Sequence, residues 1–369
     1  MGRGYRTLPL AFVVLLAAGA AAQERLGVLV ISTGPQLETQ AGKLQGSLED
    51  DLGRDHTVAR WADLAGVNTA SIHAVQKLRQ LVQVSFKSCS AMVEVCEGSK
   101  ADEAVAALST AAAAALPQDV QRTYAAVAAT RWGMNLPQDA ETAAAMALAI
   151  DPGLPAPKVT TPPGFDELWG RARFEAQDRA RTSLDVSSDP PGARILVDGT
   201  PKGFTPATVP GISQGAHLVQ LDRVGYQMAG AVVSLSGSES NVSMRLSPAP
   251  GFRPLDVVAA AQAAERGGGT PLAMIAGHYG LSWLVAGILT PKSGGASTLT
   301  IVAVRSSDQR VLGKKKLDFD GDEYGTAGRA ASRAASQILE GNSGSSHAGA
   351  AGKKKSGDPL DNVDGTEDW

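Results

Sequence analysis

The stretch that decides the fold of this chain runs from residue 184 to residue 246 and reads LDVSSDPPGARILVDGTPKGFTPATVPGISQGAHLVQLDRVGYQMAGAVVSLSGSESNVSMRL. Apolar and polar residues alternate in short runs, as around Ile195 and Val197, which is the period of a β-strand with one buried face. Asp198-Gly199 follows directly, and this dipeptide is typical of a tight hairpin because both of its residues must adopt a positive φ. The stretch therefore predicts a small all-β module.

The rest of the stretch repeats this pattern. His217, Val219 and Leu221 would share one face of a second strand. Glycines, which lack the Cβ that disfavours a positive φ, stand where the chain must bend: Gly203, Gly215 and Gly225. Because about sixty residues bury only a thin core, we expect the module to depend on packing against a neighbour.

The turn residues follow one another in a definite order: Pro191-Gly192-Ala193, Val197-Asp198-Gly199, Gly203, Thr205-Pro206, Gly215-Ala216-His217 and Gly225-Tyr226. This order resembles the PEGA domain, a β-sandwich module common in bacterial surface and envelope proteins. The motif that names the family reads Pro-Pro-Gly-Ala here, with proline in place of glutamate at a turn. The resemblance implies a structural or interaction module that has no catalytic residues.

The N-terminus predicts export. Two arginines precede an apolar run from Leu8 to Ala18, and the small residues Ala20-Ala21-Ala22 follow, which is the pattern of a secretory signal peptide. We predict a signal peptide over residues 1–22 with cleavage before Gln23. The run is shorter than the about 20 residues of a membrane span, although an uncleaved anchor is the alternative. The protein is therefore expected in the periplasm or at the cell surface, with no stable membrane span after cleavage.

The two cysteines, Cys89 and Cys96, leave two interpretations open. In an exported chain they could close a small disulfide loop. On a continuous helix their Cα atoms would be about 10 Å apart, too far for a bond, and both would then be small buried side chains. Glu97-Gly98-Ser99 indicates a chain break nearby, which favours the disulfide.

Both ends of the chain predict α/β structure. Leu26 to Ile31 reads as a buried strand and Thr57 to Trp61 as a second one. Between them lies a helix whose apolar face would hold Leu37, Ala41, Leu44, Leu48 and Leu52. Near the other end, three strands form a predicted meander: Trp283 to Leu289, Thr298 to Val304 and Val311 to Phe319.

These two ends resemble the two halves of α/β domains in Tol-system and curli-secretion envelope proteins. In the run from Gly277 to Phe319, a helix ends in glycine, a strand of the form "LVxG" follows, and two more strands come next. If the resemblance holds, the intervening segments are insertions in one domain. If it does not, the two ends form independent flanking domains.

The predicted fold is α+β and multidomain, with a small β-sandwich, an alanine-rich helical segment and an α/β layer to which both ends of the chain could contribute. The helical segment is weakly similar to tetratricopeptide repeats at Ala145–Pro152. The predicted segments are a signal peptide (1–22), an N-terminal α/β segment (23–100), the helical segment (101–181), the PEGA-like module (182–248), a C-terminal α/β segment with the meander (249–340) and a disordered tail (341–369).

The tail is rich in glycine and serine and then in charge, a composition that does not support a packed core. It would either serve as a solvated tail or dock a partner through Trp369, since tryptophan is enriched at interface hot spots.

Chemistry-bearing patterns are missing from the sequence. The five histidines form no metal-binding pair, and there is no phosphate loop or nucleophile elbow. A formal charge of −3 gives no electrostatic footprint for nucleic acid. We therefore predict no catalytic residues, cofactor or metal site.

The expected function is that of a non-enzymatic exported envelope protein that binds a protein or wall-polymer partner as a scaffold. An accessory factor of an envelope assembly or secretion system is the alternative. A hydrolase with a non-contiguous site is the third reading.

Overall fold

The computed structural model describes residues 24–90, 98–158, 163–237, 239–320 and 324–343. Its helices are α1 (Glu38–Leu52), α2 (Trp61–Ala65), α3 (Thr69–Ser90), α4 (Gly98–Ala111), α5 (Pro117–Gly133), α6 (Pro137–Leu148), α7 (Phe165–Gln177), α8 (Pro254–Glu265), α9 (Thr270–His278) and α10 (Tyr324–Ser343). Its strands are β1 (Leu26–Ser32), β2 (Val58–Ala59), β3 (Arg181–Asp189), β4 (Arg194–Val197), β5 (Thr200–Phe204), β6 (Ala207–Ser213), β7 (Gly215–Asp222), β8 (Ala229–Leu235), β9 (Glu239–Arg245), β10 (Trp283–Pro291), β11 (Ala296–Arg305) and β12 (Val311–Asp320). This mixture of helices and several sheets confirms the predicted α+β class.

Both ends of the chain contribute to one five-stranded sheet with the order β12-β11-β10-β1-β2. β1 runs parallel to β10, from the pair Leu26–Trp283 to the pair Ser32–Leu289. Helices α1 and α10 pack on one face of this sheet, and α8 and α9 pack on the other. We call this sheet with its four helices the α/β layer.

The predicted strand from Thr57 to Trp61 is mostly wrong. Only Val58 and Ala59 pair with β1, and Trp61 begins α2 instead. The Trp61 side chain is buried, and its indole N–H donates to the carbonyl oxygen of Val28. The tryptophan thus contacts the edge of β1 through its side chain instead of through a strand ladder.

Helices α3 to α7 form one helical segment. The helices of the predicted segment 101–181 are α4 to α7, whereas α3, which was predicted as part of the N-terminal α/β segment (23–100), packs against α4 and α5. Their cores are built mainly from alanine, which lets neighbouring helices approach closely. Larger side chains gather at the α5–α7 end, where Phe165, Leu168 and Trp169 are almost fully buried.

Strands β3 to β9 form the β-module. A three-stranded sheet (β6-β3-β9) and a four-stranded sheet (β5-β4-β7-β8) share one hydrophobic core. Asp198 and Gly199 have φ values of 49° and 75°, as the predicted hairpin turn requires. β3 and β9 pair in parallel, a contact that the alternating pattern alone does not predict.

The β-module also packs against its neighbours, as its small size predicted. On β7, Val219 and Leu221 belong to the core of the module, whereas Ala216 and Leu218 pack against the helical segment. The module also contacts α1 of the α/β layer, and Tyr226 of the module packs against Phe252 in the segment that follows it. None of the described helices is both long enough and apolar enough to cross a membrane.

Candidate binding site at the domain junction

The β-module meets α1 at two glycines that lie one helical turn apart, Gly42 and Gly46. A Cβ atom on Gly42 would lie 2.2 Å from the carbonyl oxygen of Gly192, and one on Gly46 would lie 2.6 Å from the ring of Phe204. Gly192 has a φ of +86°, and a Cβ there would lie 2.2 Å from the carbonyl oxygen of Glu38. The two main chains therefore touch, and a side chain at position 42 or 192 would push them apart.

The turns that make this contact are those that carry the PEGA-like pattern. Gly192 belongs to the Pro-Pro-Gly-Ala turn, and Phe204 precedes Thr205-Pro206. The hydroxyl group of Thr39 in α1 donates to the carbonyl oxygen of Thr205 at 3.1 Å. The motif residues thus serve an interface within the chain as well as the turns of the module.

A buried ion pair crosses the same interface. Arg194 Nη2 of β4 lies 2.5 Å from Glu49 Oε2 of α1, and the two side chains are only 9% and 4% exposed. Gln45 donates to the other oxygen of Glu49 at 2.6 Å. The Gln45 amide also donates to Val28 O at 2.8 Å and accepts from Val30 N–H at 2.6 Å. Because β2 is short, part of the edge of β1 has no neighbouring strand. The Gln45 side chain supplies hydrogen bonds to the backbone groups there and links β1 to the ion pair.

A second ion pair lies beside the first. The guanidinium group of Arg223 contacts the carboxylate of Glu38 and donates to the carbonyl oxygen of Pro191. It also lies 5.2 Å from the ring centroid of Tyr226. Arg194 and Arg223 of the module are therefore each paired with a glutamate of α1.

These contacts surround a cavity of about 100 Å³, which we call the junction cavity. The end of β1, from Val30 to Ser32, forms one side of it. Its other walls are charged and aromatic: Glu38, Glu49, Asp222, Arg194, Arg223, Trp61, Phe204, Tyr226 and Phe252. The α/β layer, the β-module and the segment that follows the module all contribute.

Burial dominates the electrostatics of the two most enclosed carboxylates. It raises the pKa of Glu49, although Arg194 and the hydrogen bond from Gln45 act in the opposite direction. Burial likewise raises the pKa of Asp222, against the influence of Arg194 and Arg60. Both groups are therefore held in an environment that disfavours their charged form.

The chemistry available in the junction cavity is recognition of a small group. Ligand pockets for drug-sized molecules usually measure about 300–1,000 Å³, which is well above the volume found here. A sugar ring or a peptide backbone would not enter, whereas the charged end of a side chain or a small ion would fit.

Several predicted site residues fall outside the described part of the chain. These are Cys96, and with it the Cys89–Cys96 disulfide, the docking residue Trp369 and the signal peptide over residues 1–22; Cys89 itself belongs to α3. Within the described residues, no group of three metal-ligating side chains converges. His217 is buried and bonds to Asp198 Oδ2 at 2.6 Å and to Ser213 O at 2.8 Å, which satisfies both ring nitrogens.

The sequence reasoning missed the residues of the junction. Gly42 and Gly46 are spaced one turn apart in a helix that otherwise shows a leucine face, and this spacing signals a close helix contact. Gln45 and Glu49 lie on the same side of α1, at the same interval. No local signal identifies Arg194 as their partner.

Comparison with known proteins agrees with the architecture of the β-module. Residues 181–250 match the PEGA domain family. The chain is therefore a PEGA domain-containing protein, and the β-module is its PEGA domain. No curated protein is significantly similar to the chain.

Proposed function

We propose that this protein is a non-enzymatic, exported protein of the bacterial envelope whose PEGA domain binds a protein or wall-polymer partner. The observation that carries the proposal is that the PEGA domain is held on two sides by its own chain. Arg194 is paired with Glu49 of α1, and the β7 residues Ala216 and Leu218 pack on the helical segment. A domain fixed in this way presents its remaining surface in a constant orientation.

That remaining surface is the outer face of the three-stranded sheet. Thr208, Asp185 and Asn241 lie in a row across it, since Asp185 is in register with both of the others. The hydroxyl group of Thr208 donates to Asp185 at 2.5 Å. Ser187 and Ser243 form the next row. These hydroxyl, amide and carboxylate groups suit a partner rich in hydrogen-bonding groups, such as a wall polymer or an extended peptide.

The absence of catalytic patterns in the sequence supports a role without catalysis.

The proposal is tested by co-sedimentation with insoluble wall polymer and by cross-linked affinity capture from envelope extracts. The variant Asp185→Ala/Asn241→Ala removes polar groups from the outer face. Gln337→Ala, at an exposed position of α10, is the matched control. We expect the double variant to lose the polymer or the captured partner and the control to retain it. Capture of nothing reproducible, or equal capture by both variants, would contradict the proposal.

A role as an accessory factor of envelope assembly or secretion is the second candidate. The pairing of β1 with β10 favours it, because one sheet from both ends of the chain is what the resemblance to Tol-system and curli-secretion domains requires. Deletion of the gene followed by quantification of surface and secreted proteins tests it. Loss of one assembled or secreted product supports this candidate, and an unchanged profile argues against it.

A further inference from the structure

Asp222 differs from the other charged groups of the junction cavity because it has no partner. Arg194 is paired with Glu49, and Arg223 is paired with Glu38. Within the described residues, no hydrogen bond or ion pair reaches the Asp222 carboxylate. This carboxylate nevertheless lines the cavity, at the end of β7. A partly buried carboxylate without a donor is costly unless something else supplies one.

The charges around the cavity therefore do not balance. Three carboxyl and two guanidinium groups line it, and the two internal pairs leave the Asp222 carboxyl without a cation of its own. Because burial disfavours the charged form of this group, a cation beside it would offset that cost. Arg60, which also favours the charged form of Asp222, lies 3.6 Å from Asp50. Asp63 acts on Asp222 in the opposite direction. The electrostatic preference of the cavity is for a cation.

Aromatic rings complete the site. Trp61, Tyr226 and Phe252 come from three separate segments, and the Phe252 ring lies 6.3 Å from each of the other two, centroid to centroid. Aromatic residues make up only 5% of the chain, so their convergence at one cavity is notable. The faces of aromatic rings attract cations, most strongly where water is excluded.

The size of the cavity restricts which cation fits. A volume of about 100 Å³ accommodates a few heavy atoms; for comparison, a cavity of about 150 Å³ holds benzene. An ammonium group with its adjoining methylene groups matches both this volume and the aromatic walls, because its alkyl part is apolar.

We propose that the junction cavity binds the ammonium group of an alkylamine, with Asp222 as its counter-ion and Trp61, Tyr226 and Phe252 as its walls. A free small amine and the side chain of a lysine on a partner both present this chemistry, and the ligands named below distinguish the two sources. This site is separate from the outer face of the PEGA domain, so it stands or falls independently of the function proposed above.

Titration calorimetry of the full chain with n-butylamine at neutral pH tests the site, with n-butanol as the uncharged analogue. We expect saturable binding of the amine and none of the alcohol. Asp222→Asn should weaken the affinity about tenfold or more, because the amide oxygen still accepts a hydrogen bond but carries no negative charge to pair with the ammonium group. Asp139→Asn, which removes an exposed charge on α6 of the helical segment, should change it less than about twofold.

A second variant keeps the Asp222 side chain but fills the junction cavity. Val258 lines the cavity, and Val258→Phe should abolish binding while Asp222 remains ionisable. Thermal melts establish that each variant is folded; if Asp222→Asn is not, Val258→Phe carries the test. Equal heats for wild type and Val258→Phe, or binding of butanol as strong as that of butylamine, would overturn the proposal.

Two further ligands identify the source of the amine. Tighter binding of Nα-acetyl-lysine amide than of butylamine would indicate a lysine side chain of a partner protein. Binding of butylamine alone would indicate a free amine.

Discussion

Arg194 of the PEGA domain and Glu49 of α1 lie 145 residues apart in the sequence and form a buried ion pair of 2.5 Å. Glu49 is further bonded to Gln45, which is itself bonded to the main chain of β1. The PEGA domain is thus connected to the central sheet through an unbroken series of polar contacts. Such a network has a defined geometry, because each member is satisfied only when the others are in place.

Replacement of Arg194 by methionine should therefore destabilise the whole chain. The buried Glu49 would have to remain charged without its partner or take up a proton, and loss of one partner of a buried pair typically costs about 3 kcal/mol or more. Chemical denaturation measures the change in the free energy of unfolding. Arg245→Met is the matched control, since its pair with Asp189 is 86% and 72% exposed and should contribute less than about 1 kcal/mol. Equal effects of the two substitutions would show that the buried pair has no special role.

Substitution of Gly42 by alanine should be destabilising, although alanine favours helices by about 1 kcal/mol relative to glycine. The new Cβ would lie 2.2 Å from the carbonyl oxygen of Gly192, and main-chain atoms on both sides resist displacement. Gly170→Ala in α7 separates the two effects, because nothing lies within 4 Å of its Cβ position. We expect Gly170→Ala to raise the midpoint of thermal unfolding and Gly42→Ala to lower it. A rise in both would mean that α1 and the PEGA domain are not in contact as described.

Much of the fold was predictable where a local pattern determines it. The apolar face of α1 from Leu37 to Leu52 packs on the sheet as predicted. Asp198-Gly199 forms the predicted turn, and the three strands of the meander lie within two residues of their predicted bounds. In each case the information lies in the periodicity or in the φ requirement of a turn.

The junction was not predictable because its partners are distant in the sequence. Nothing near Glu49 indicates that Arg194 lies opposite, and the parallel pairing of β1 with β10 joins residues from opposite ends of the chain. The sequence also did not predict that β2 ends after only two residues. Beyond that point, the side chains of Gln45 and Trp61 make the hydrogen bonds to β1 that a longer β2 would have made. A strand pattern does not reveal that a side chain has taken the place of a neighbouring strand.

Gln220 should stabilise the contact between the PEGA domain and the helical segment, as Arg194 stabilises the contact with α1. Its side-chain amide donates to the carbonyl oxygens of Ala112, Ala113 and Ala115, at 3.0, 3.3 and 3.0 Å, just after the end of α4. Gln220→Leu removes these donors and should cost about 1–3 kcal/mol of stability. Gln220→Glu should cost more, because a carboxylate would face the negative end of the helix dipole.

Equilibrium unfolding in urea measures both Gln220 variants. Gln80→Leu, an exposed change of the same type on α3, should leave the midpoint nearly unchanged. If Gln220→Glu were no worse than Gln220→Leu, the carbonyl groups that follow α4 would not be the partners of this side chain.

The raised pKa of Glu49 predicts how stability depends on pH. The folded protein holds a proton on Glu49 more tightly than the unfolded chain, in which the pKa has its ordinary value of 4.5. The free energy of unfolding should therefore fall as the pH rises from 4.5 through the pKa of the folded state. Glu49→Gln removes this titration, so the variant should gain stability relative to wild type across that window.

Glu103, on the helical segment, provides a control because its pKa is shifted in the opposite direction to that of Glu49. Lys77 and Lys100 hold the pKa of this exposed carboxyl below its usual value. The ionised Glu103 carboxylate therefore stabilises the folded protein at pH values above 4.5, the pKa of this group in the unfolded chain. This stabilisation is lost as the pH falls through the lower pKa of the folded state. Denaturation curves recorded between pH 3 and pH 8 should show Glu49→Gln gaining on wild type as the pH rises, whereas Glu103→Gln should lose slightly. If Glu49→Gln followed the same trend as Glu103→Gln, the pKa of Glu49 in the folded protein would be lowered instead of raised. The effect of the ion pair with Arg194 on this pKa would then be larger than the effect of burial.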